Sequence, residues 1–169
     1  MMEDVRLRVA LPDDAAAIAP VHRVCWHQAY TGLVPQRCLD DLDAMDLVAV
    51  WRGRLEQQGL ATTIAMMDGR VVGLVSVAPL EVAAPLPAEE LRSLYVLADV
   101  WGKGIGRLLL DLALAERPAA LWVFEGNERA RRFSAHTGWR ATGEVRVHDW
   151  TAIPEVRLVR DGDHKSDGG

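Results

Sequence analysis

The sequence predicts a mixed α+β (α/β) layer structure, and three observations predict it. The length of 169 residues suits a single core. Half the residues are hydrophobic and a quarter charged, so burial can offset the ordering entropy of the chain. The periodicity runs strand, helices, three strands, helix, strand, helix, two strands, which departs from a regular βαβ repeat and fits a doubly wound dinucleotide fold poorly.

Val5, Leu7 and Val9 alternate with Arg6, Arg8 and Ala10, the pattern of a short strand with one face buried. Pro12 and Asp13 then open a helix reaching about Ala29. Its apolar stripe reads Ile18, Val21, Cys25 and Ala29, with Trp26 and Tyr30 beside it. A second helical stretch covers residues 35–42. A third begins at Asp46, places Val48, Trp51 and Leu55 on one face, and stops at Gly59. From Ala61 the chain turns β-rich, with residues 62–66 and 71–77 joined by a hairpin at Asp68 and Gly69. Pro79, Pro85 and Pro87 punctuate a loop before a strand at 91–97. A glycine-rich turn leads from that strand into a helix with Ile105, Leu108, Leu109 and Leu112 at i, i+3, i+4 and i+7. Residues 120–124 read as a short buried strand, 127–137 as a helix, 139–148 as a strand of alternating character and 155–160 as the last strand. Residues 1–160 make one domain, and the polar, glycine-ending tail 161–169 is expected to be mobile.

Charge and composition exclude several functions. The net charge of −5 argues against a sequence-independent nucleic-acid binder. No apolar run approaches the roughly 18 residues of a spanning helix, and residues 1–9 carry acids where a signal peptide is basic and then apolar. The expectation is a cytoplasmic protein without a membrane partner. Cys25 and Cys38 stand without a CxxC pair or a companion cluster, and the histidines lack ligand spacing, so neither a disulfide nor a metal site is expected. Asp40, Asp41, Asp43 and Asp46 either cap helices or attract a cationic substrate, with capping the safer reading.

Trp101, Gly102, Lys103, Gly104, Ile105, Gly106 and Arg107 lie between a strand and an amphipathic helix, where unpaired N–H groups and the positive end of the helix dipole face outward. Glycines allow close backbone approach to a phosphate, and Lys103 and Arg107 add charge suited to a pyrophosphate. A tight turn that merely allows close helix packing is the bland alternative. Leu109 stands where a GxGxxG fingerprint needs its last glycine, and Ile105 follows Gly104 where a P-loop needs lysine. A nucleotide hydrolase, kinase or dinucleotide oxidoreductase is thereby disfavoured.

Leu94, Tyr95 and Val96, followed by Trp101 to Gly106, resemble the acyl-CoA signature of the GNAT N-acetyltransferase superfamily, whose turn has Gln or Arg, two residues, Gly, one residue, and Gly or Ala. Trp101 occupies the Gln/Arg position, a departure expected to be mild because the contacts run largely through backbone amides. Ala98 stands where the family often has proline, again with little effect expected. Asn127, Ala130, Phe133, Gly138 and Trp139 resemble the family's later NxxAxxFYxxxGF segment at matching offsets. More weakly, Trp26, Ala29, Tyr30, Gly32 and Pro35 resemble the opening helix region of one subgroup.

The resemblance implies a central twisted, mostly antiparallel sheet of about seven strands, flanked by about four helices and splayed at the fourth and fifth strands. It implies acetyl-CoA as cofactor, held by Leu94, Tyr95, Val96, Trp101, Gly102, Lys103, Gly104, Ile105, Gly106, Arg107, Asn127, Ala130 and Phe133. Charge agrees: residues 102–140 hold seven Lys or Arg and four Asp or Glu, a net of +3 that leaves −8 for the rest. Arg129, Arg131 and Arg132 either serve the 3′-phosphate end of coenzyme A or form a solvated helix face.

Acetyl transfer to an amine needs an uncharged nucleophile, a donor for the carbonyl oxygen as it gains charge, and a route for the thiolate. By resemblance the Val96 N–H is that donor, a contribution of roughly 3 to 4 kcal/mol, unless it makes an ordinary ladder bond. Amines have pKa values of about 8 to 10.4, so a base is required. Glu90 is the candidate, directly or through water, and Glu89 the runner-up; both also read as solvated loop carboxylates. Ser134 stands where the family has the tyrosine assigned as acid, so that assignment does not carry over. A thiol of pKa about 8.5 can leave unaided, Ser134 can hold a water or donate, or Tyr95 can substitute, although Tyr95 reads rather as a packing residue. Trp26 and Tyr30 line the acceptor pocket or belong to the core; aromatic rings there suit a cation.

The expected function is transfer of an acetyl group from acetyl-CoA to a primary amine of a small molecule, peptide or protein by direct attack in a ternary complex. The alternative is a non-catalytic acyl-CoA sensor or interaction module. The strand near the C-terminus is open to pairing with a second copy, giving a homodimer.

Overall fold

The computed structural model describes residues 4–80 and 87–162. In chain order these form β1 (Arg6–Val9), α1 (Ala15–Tyr30), α2 (Gln36–Ala44), α3 (Leu47–Glu56), β2 (Ala61–Met67), β3 (Arg70–Pro79), β4 (Glu89–Val96), α4 (Ile105–Leu114), β5 (Ala119–Phe124), α5 (Glu128–His136), β6 (Arg140–Val147) and β7 (Pro154–Arg160). Single 3-10 turns, Pro12–Asp14 and Ala98–Val100, precede α1 and α4. The seven strands make one sheet in the order β1-β2-β3-β4-β5-β7-β6. Every pairing is antiparallel except β4 with β5, which run parallel and share the single register pair Glu90↔Ala120. The mostly antiparallel sheet with its splay is therefore as expected, and the five helices are the five stretches read from the sequence, close to the about four that the resemblance implied. Residues 35–56 break into two helices at extended Met45, after which Asp46 accepts from the Ala49 N–H at 3.1 Å and starts α3.

The two faces of the sheet are dressed differently. Val72, Val75 and Val77 of β3 with Leu121 and Val123 of β5 bury against Ile105, Leu109, Leu110 and Leu114 of α4. On the opposite face Ile64 and Leu74 pack on Ile18, Val21 and Cys25 of α1 and on Leu47 and Trp51 of α3. Side chains alternate between the faces along the strands, except that a bulge at Val72 puts it on the same face as Val75. The β2–β3 hairpin turns through Asp68 and Gly69, both at positive φ (51° and 76°), the geometry of the primed turn that matches strand twist.

Four elements differ from the expected patterns. In α4 the buried positions are 105, 109, 110 and 114, whereas Leu108 and Leu112 are exposed, because the helix lies over the sheet and leaves that flank to solvent. In α1 the stripe turns from Cys25 toward Trp26 and away from Ala29, which is exposed. Val9 is exposed at the edge of the sheet, and β6, expected to alternate, is exposed along its whole length as the opposite edge strand. Arg8 binds Asp14 through two 2.7 Å contacts, and Asp14 also accepts from the Leu11 N–H at 2.7 Å, fastening β1 to the start of α1.

Among the described residues no helix is long and apolar enough to cross a membrane. Asp161 pairs with Arg140 at 3.2 and 3.3 Å; the rest of the tail expected to be mobile, 163–169, and the loop residues 81–86 lie outside the described residues.

Candidate active site at the splayed strands

The register of β3 with β4 decides where the Val96 amide points. Leu97 N–H donates to the Val72 carbonyl at 2.9 Å, and Tyr95 pairs with Leu74 and Val96 with Gly73. In an antiparallel ladder the hydrogen-bonding positions alternate, so residues 95 and 97 turn their amides to β3 and Val96 turns its amide away. Beyond Glu90↔Ala120 no further β4–β5 pair forms among the described residues, so that amide faces an opening. The Val96 carbonyl, on the same side, accepts from the Trp101 indole N–H at 2.8 Å.

The turn that follows is built for an anion. Gly102 and Gly104 both adopt φ +79°, and no heavy atom lies within 4 Å of where either Cβ would stand, so the backbone presents itself to open space. Gly104 caps α4 without a side chain, leaving the first N–H groups of that helix without intrahelical acceptors. A Cβ on Gly106 would meet the Phe133 ring at 3.5 Å and Val96 Cγ2 at 3.8 Å, so the helix start, α5 and β4 converge there. Arg107 is tied to Asp111 at 3.2 Å. Arg129 stacks its guanidinium 3.0 Å from the centre of the Trp101 ring, while Arg131 donates to the Glu125 carbonyl. Asn127 caps α5 by accepting from the Ala130 N–H at 3.2 Å.

Two departures expected to matter little are structural contacts instead. The Trp101 side chain clips the turn to β4 and carries Arg129, work that backbone amides do not perform. Ala98 donates its N–H to Gln28 Oε1 at 3.0 Å, a bond between the turn and α1 that proline could not make.

On the α1 face of the sheet, Tyr95 stacks on His22 with centroids 5.1 Å apart and its hydroxyl accepts from the Trp26 indole at 3.1 Å. Burial holds the Tyr95 and Tyr30 phenols above their ordinary range, so both keep their protons at neutral pH. Trp26 meets Tyr30 edge-on at 4.7 Å, and Tyr30 meets Phe124 of β5 at 5.0 Å. His22 is buried, accepts from the Trp51 indole at 3.0 Å and has its pKa lowered to about 4, first by desolvation and then by Arg54 and Arg23. Cys25 is likewise buried, its thiol pushed up to about 12, which leaves it inert as a nucleophile.

Glu90 is not a loop carboxylate: it lies in β4, is buried, and pairs with Arg92 at 2.9 Å. Since Leu91 packs toward α4, Glu90 belongs to the α1 face with Tyr95. Glu89 is engaged by Arg117 at 2.8 and 3.3 Å at the far end of the strand. Ser134 is buried in α5, and its carbonyl accepts from the Thr137 and Trp139 N–H groups to close that helix. Val96, Gly106 and Phe133 thus come together at the opening, while Trp26, Tyr30 and Tyr95 gather on the other face, where Glu90 lies five residues along β4 from Tyr95. Sequence reading missed the charged group beside them: Trp122, Arg146, Glu155 and Arg157, of which Glu155 and Arg157 are buried. The signal was alternation, since 155 and 157 interleave with apolar 156 and 158. Among the described residues no group of three or more His, Cys, Asp or Glu side chains is placed to hold a metal ion.

Comparison with known proteins agrees with this fold. A chain from Mycobacterium tuberculosis described as a probable N-acetyltransferase is 29% identical over 164 residues, spanning 94% of this chain and 92% of that one. The PaiA N-acetyltransferase of Thermoplasma acidophilum, solved in complex with coenzyme A, is similar in fold with a TM-score of 0.68 at 17% identity, over 94% of this chain and 99% of the other. A GCN5-related N-acetyltransferase from Rhodopseudomonas palustris reaches a TM-score of 0.71 at 23% identity, over 95% and 98%. The family model described as Acetyltransferase (GNAT) family matches residues 22–139, from α1 through the glycine turn to the end of α5, and the chain therefore belongs to that family.

Proposed function

We propose that the protein transfers the acetyl group of acetyl-CoA to a primary amine of a small molecule, peptide or protein, by direct attack in a ternary complex. The single observation that carries this reading is the Val96 amide turned into the β4–β5 opening beside an anion cradle. Acetyl-CoA is the cofactor, and the residues present fit it: two left-handed glycines with open space at their Cα atoms, a side-chain-free helix cap, and basic side chains at 103 and 107. When bound it supplies an activated acetyl thioester.

The chain's own groups have separable tasks. Amides of residues 102–107, with Lys103 and Arg107, hold the diphosphate, and Asn127, Ala130 and Phe133 border the same channel. The Val96 N–H would donate to the acetyl carbonyl oxygen, and Leu94 shares its side of β4. Glu90, which Arg92 orients, takes the proton of the amine through a chain of waters, since six residues of strand separate it from Val96. Trp26 and Tyr30 wall the acceptor side. Tyr95 keeps its proton and positions Trp26, and no side chain is assigned as acid toward the sulfur, because a thiol of pKa about 8.5 would not require one. The acceptor is the principal partner, and the outer edge of β6 is open to a second copy.

Ser134 in the acid position favours a second reading, a non-catalytic acyl-CoA-binding module. Thiol release over an amine panel separates the two, because turnover excludes the module. Calorimetry with coenzyme A tests what both share. Gly104→Asp places a carboxylate at the cradle and is expected to weaken affinity tenfold or more, about 1.4 kcal/mol; unchanged affinity overturns the reading.

A further inference from the structure

We infer that the acceptor carries a carboxylate, received by Arg157 and the Trp122 indole N–H on the α1 face of β5 and β7; the inference rests on the proposed acetyl transfer and specifies its substrate. Leu121 and Val123 face α4, so Trp122, between them, faces the other way. Arg157 is its cross-strand partner, set between Val156 and Leu158, which also face α4. One step back along β5, Ala120 bridges to Glu90; one step forward, Phe124 meets Tyr30. Trp122 and Arg157 therefore occupy the stretch between the candidate base and the aromatic wall.

These two residues hold donors that no hydrogen-bond acceptor among the described residues satisfies. Trp122 Nε1 and Arg157 Nε and Nη1 are buried without a hydrogen-bond partner, although Arg157 is only 7% exposed. Arg157 Nε lies 3.2 Å from Glu144 Oε2, an ion pair without the alignment of a hydrogen bond. Protein interiors do not leave such groups unfilled without cause, so an acceptor group is missing. A carboxylate supplies acceptors only, in a plane that guanidinium and indole donors can share. Arg146 is matched by buried Glu155 at 2.7 Å, whereas Arg157 is matched by the half-exposed Glu144, the one carboxylate that the acceptor's own can replace, so the site takes a monoanion by exchange. Arg146, half-exposed with its guanidinium 4.2 Å from the Trp122 ring centre, is the mobile cover that moves when the carboxylate enters.

The test uses the full chain, with and without saturating coenzyme A. Calorimetry compares ω-amino acids from glycine to 6-aminohexanoate, and triglycine, with alkylamines of matching length. The carboxylate-bearing member is expected to bind at least tenfold more tightly, and the best chain length reports the span from Arg157 to the amine. Arg157→Lys, which keeps the charge, and Trp122→Phe, which keeps the ring, each erase the preference while coenzyme A affinity stays unchanged. Equal binding of the alkylamines, no binding by any carboxylate, or a preference that survives both variants overturns the inference. Failure of coenzyme A to bind, or of every amine to be acetylated, strikes instead at the proposed function.

Discussion

His22 shows how one residue couples burial to pH. It sits between Trp51 and Tyr95 with no acid to stabilise its charged form, and its pKa falls from 6.5 to about 4. Between those values the unfolded chain binds a proton that the folded chain refuses. Acidification through this window therefore favours unfolding, by up to about 1.4 kcal/mol per pH unit, and the loss ceases above pH 6.5 where both states are neutral. Urea midpoints measured from pH 7 to 4.5 should fall in the natural protein, and His22→Gln should remove most of that slope while retaining an acceptor for the Trp51 indole. Residue identities in the cradle were legible because glycine at 102 and 104 has one strong physical use, a left-handed backbone. The contacts of Trp101 and Ala98 were not legible, because their partners, Val96 and Gln28, are brought near only by the tertiary fold.

At the level of elements, β3 and β4 approach each other tightly at Gly73. A Cβ on Gly73 would stand 2.8 Å from the Tyr95 carbonyl oxygen and 3.3 Å from Leu109 and Val96 side chains. The obstructing atom belongs to the backbone, so the strands themselves must separate. Gly73→Ala is expected to destabilise by about 2 kcal/mol, read from chemical denaturation, and to weaken coenzyme A binding because the shift falls at residues 95 and 96. Gly59→Ala, where the Cβ would meet only the Pro79 ring at 3.5 Å, gives the comparison for a positive-φ glycine remote from the site. The strand, turn and helix unit was readable because its period changes abruptly from two to three and a half. Which flank of α4 is buried was not, since five leucines lie close together on it and the choice between them is made by the sheet.

For the whole molecule, the sheet consists of two sections, β1 to β4 and β5 to β7, joined by one register pair. What unites them is apolar: Leu109, Leu110 and Leu114 of α4 share one cluster with Val72 and Val75 on one section and Leu121, Val123 and Leu158 on the other. Leu109 is fully buried, so Leu109→Ala should cost about 3 kcal/mol. Far-UV circular dichroism and tryptophan fluorescence should still report coincident transitions, because neither section retains a complete core alone. Separate transitions would contradict this account. The order of elements was legible from periodicity, and the splay only through family likeness. The charged group around Trp122 stayed hidden because it assembles from β5, β6 and β7, which meet only when the sheet closes.

The lone rung at Glu90 and Ala120 leaves β4 and β5 like the prongs of a tuning fork, clamped at the base and free at the tips. Spreading the tips breaks no backbone hydrogen bond between them, because none is there to break. The resistance a guest meets on entering comes from side chains alone, Phe133 and the clip from Trp101 to Val96 among them. Small displacements at this cleft are consequently cheap in a molecule whose remaining strand pairings are rigid.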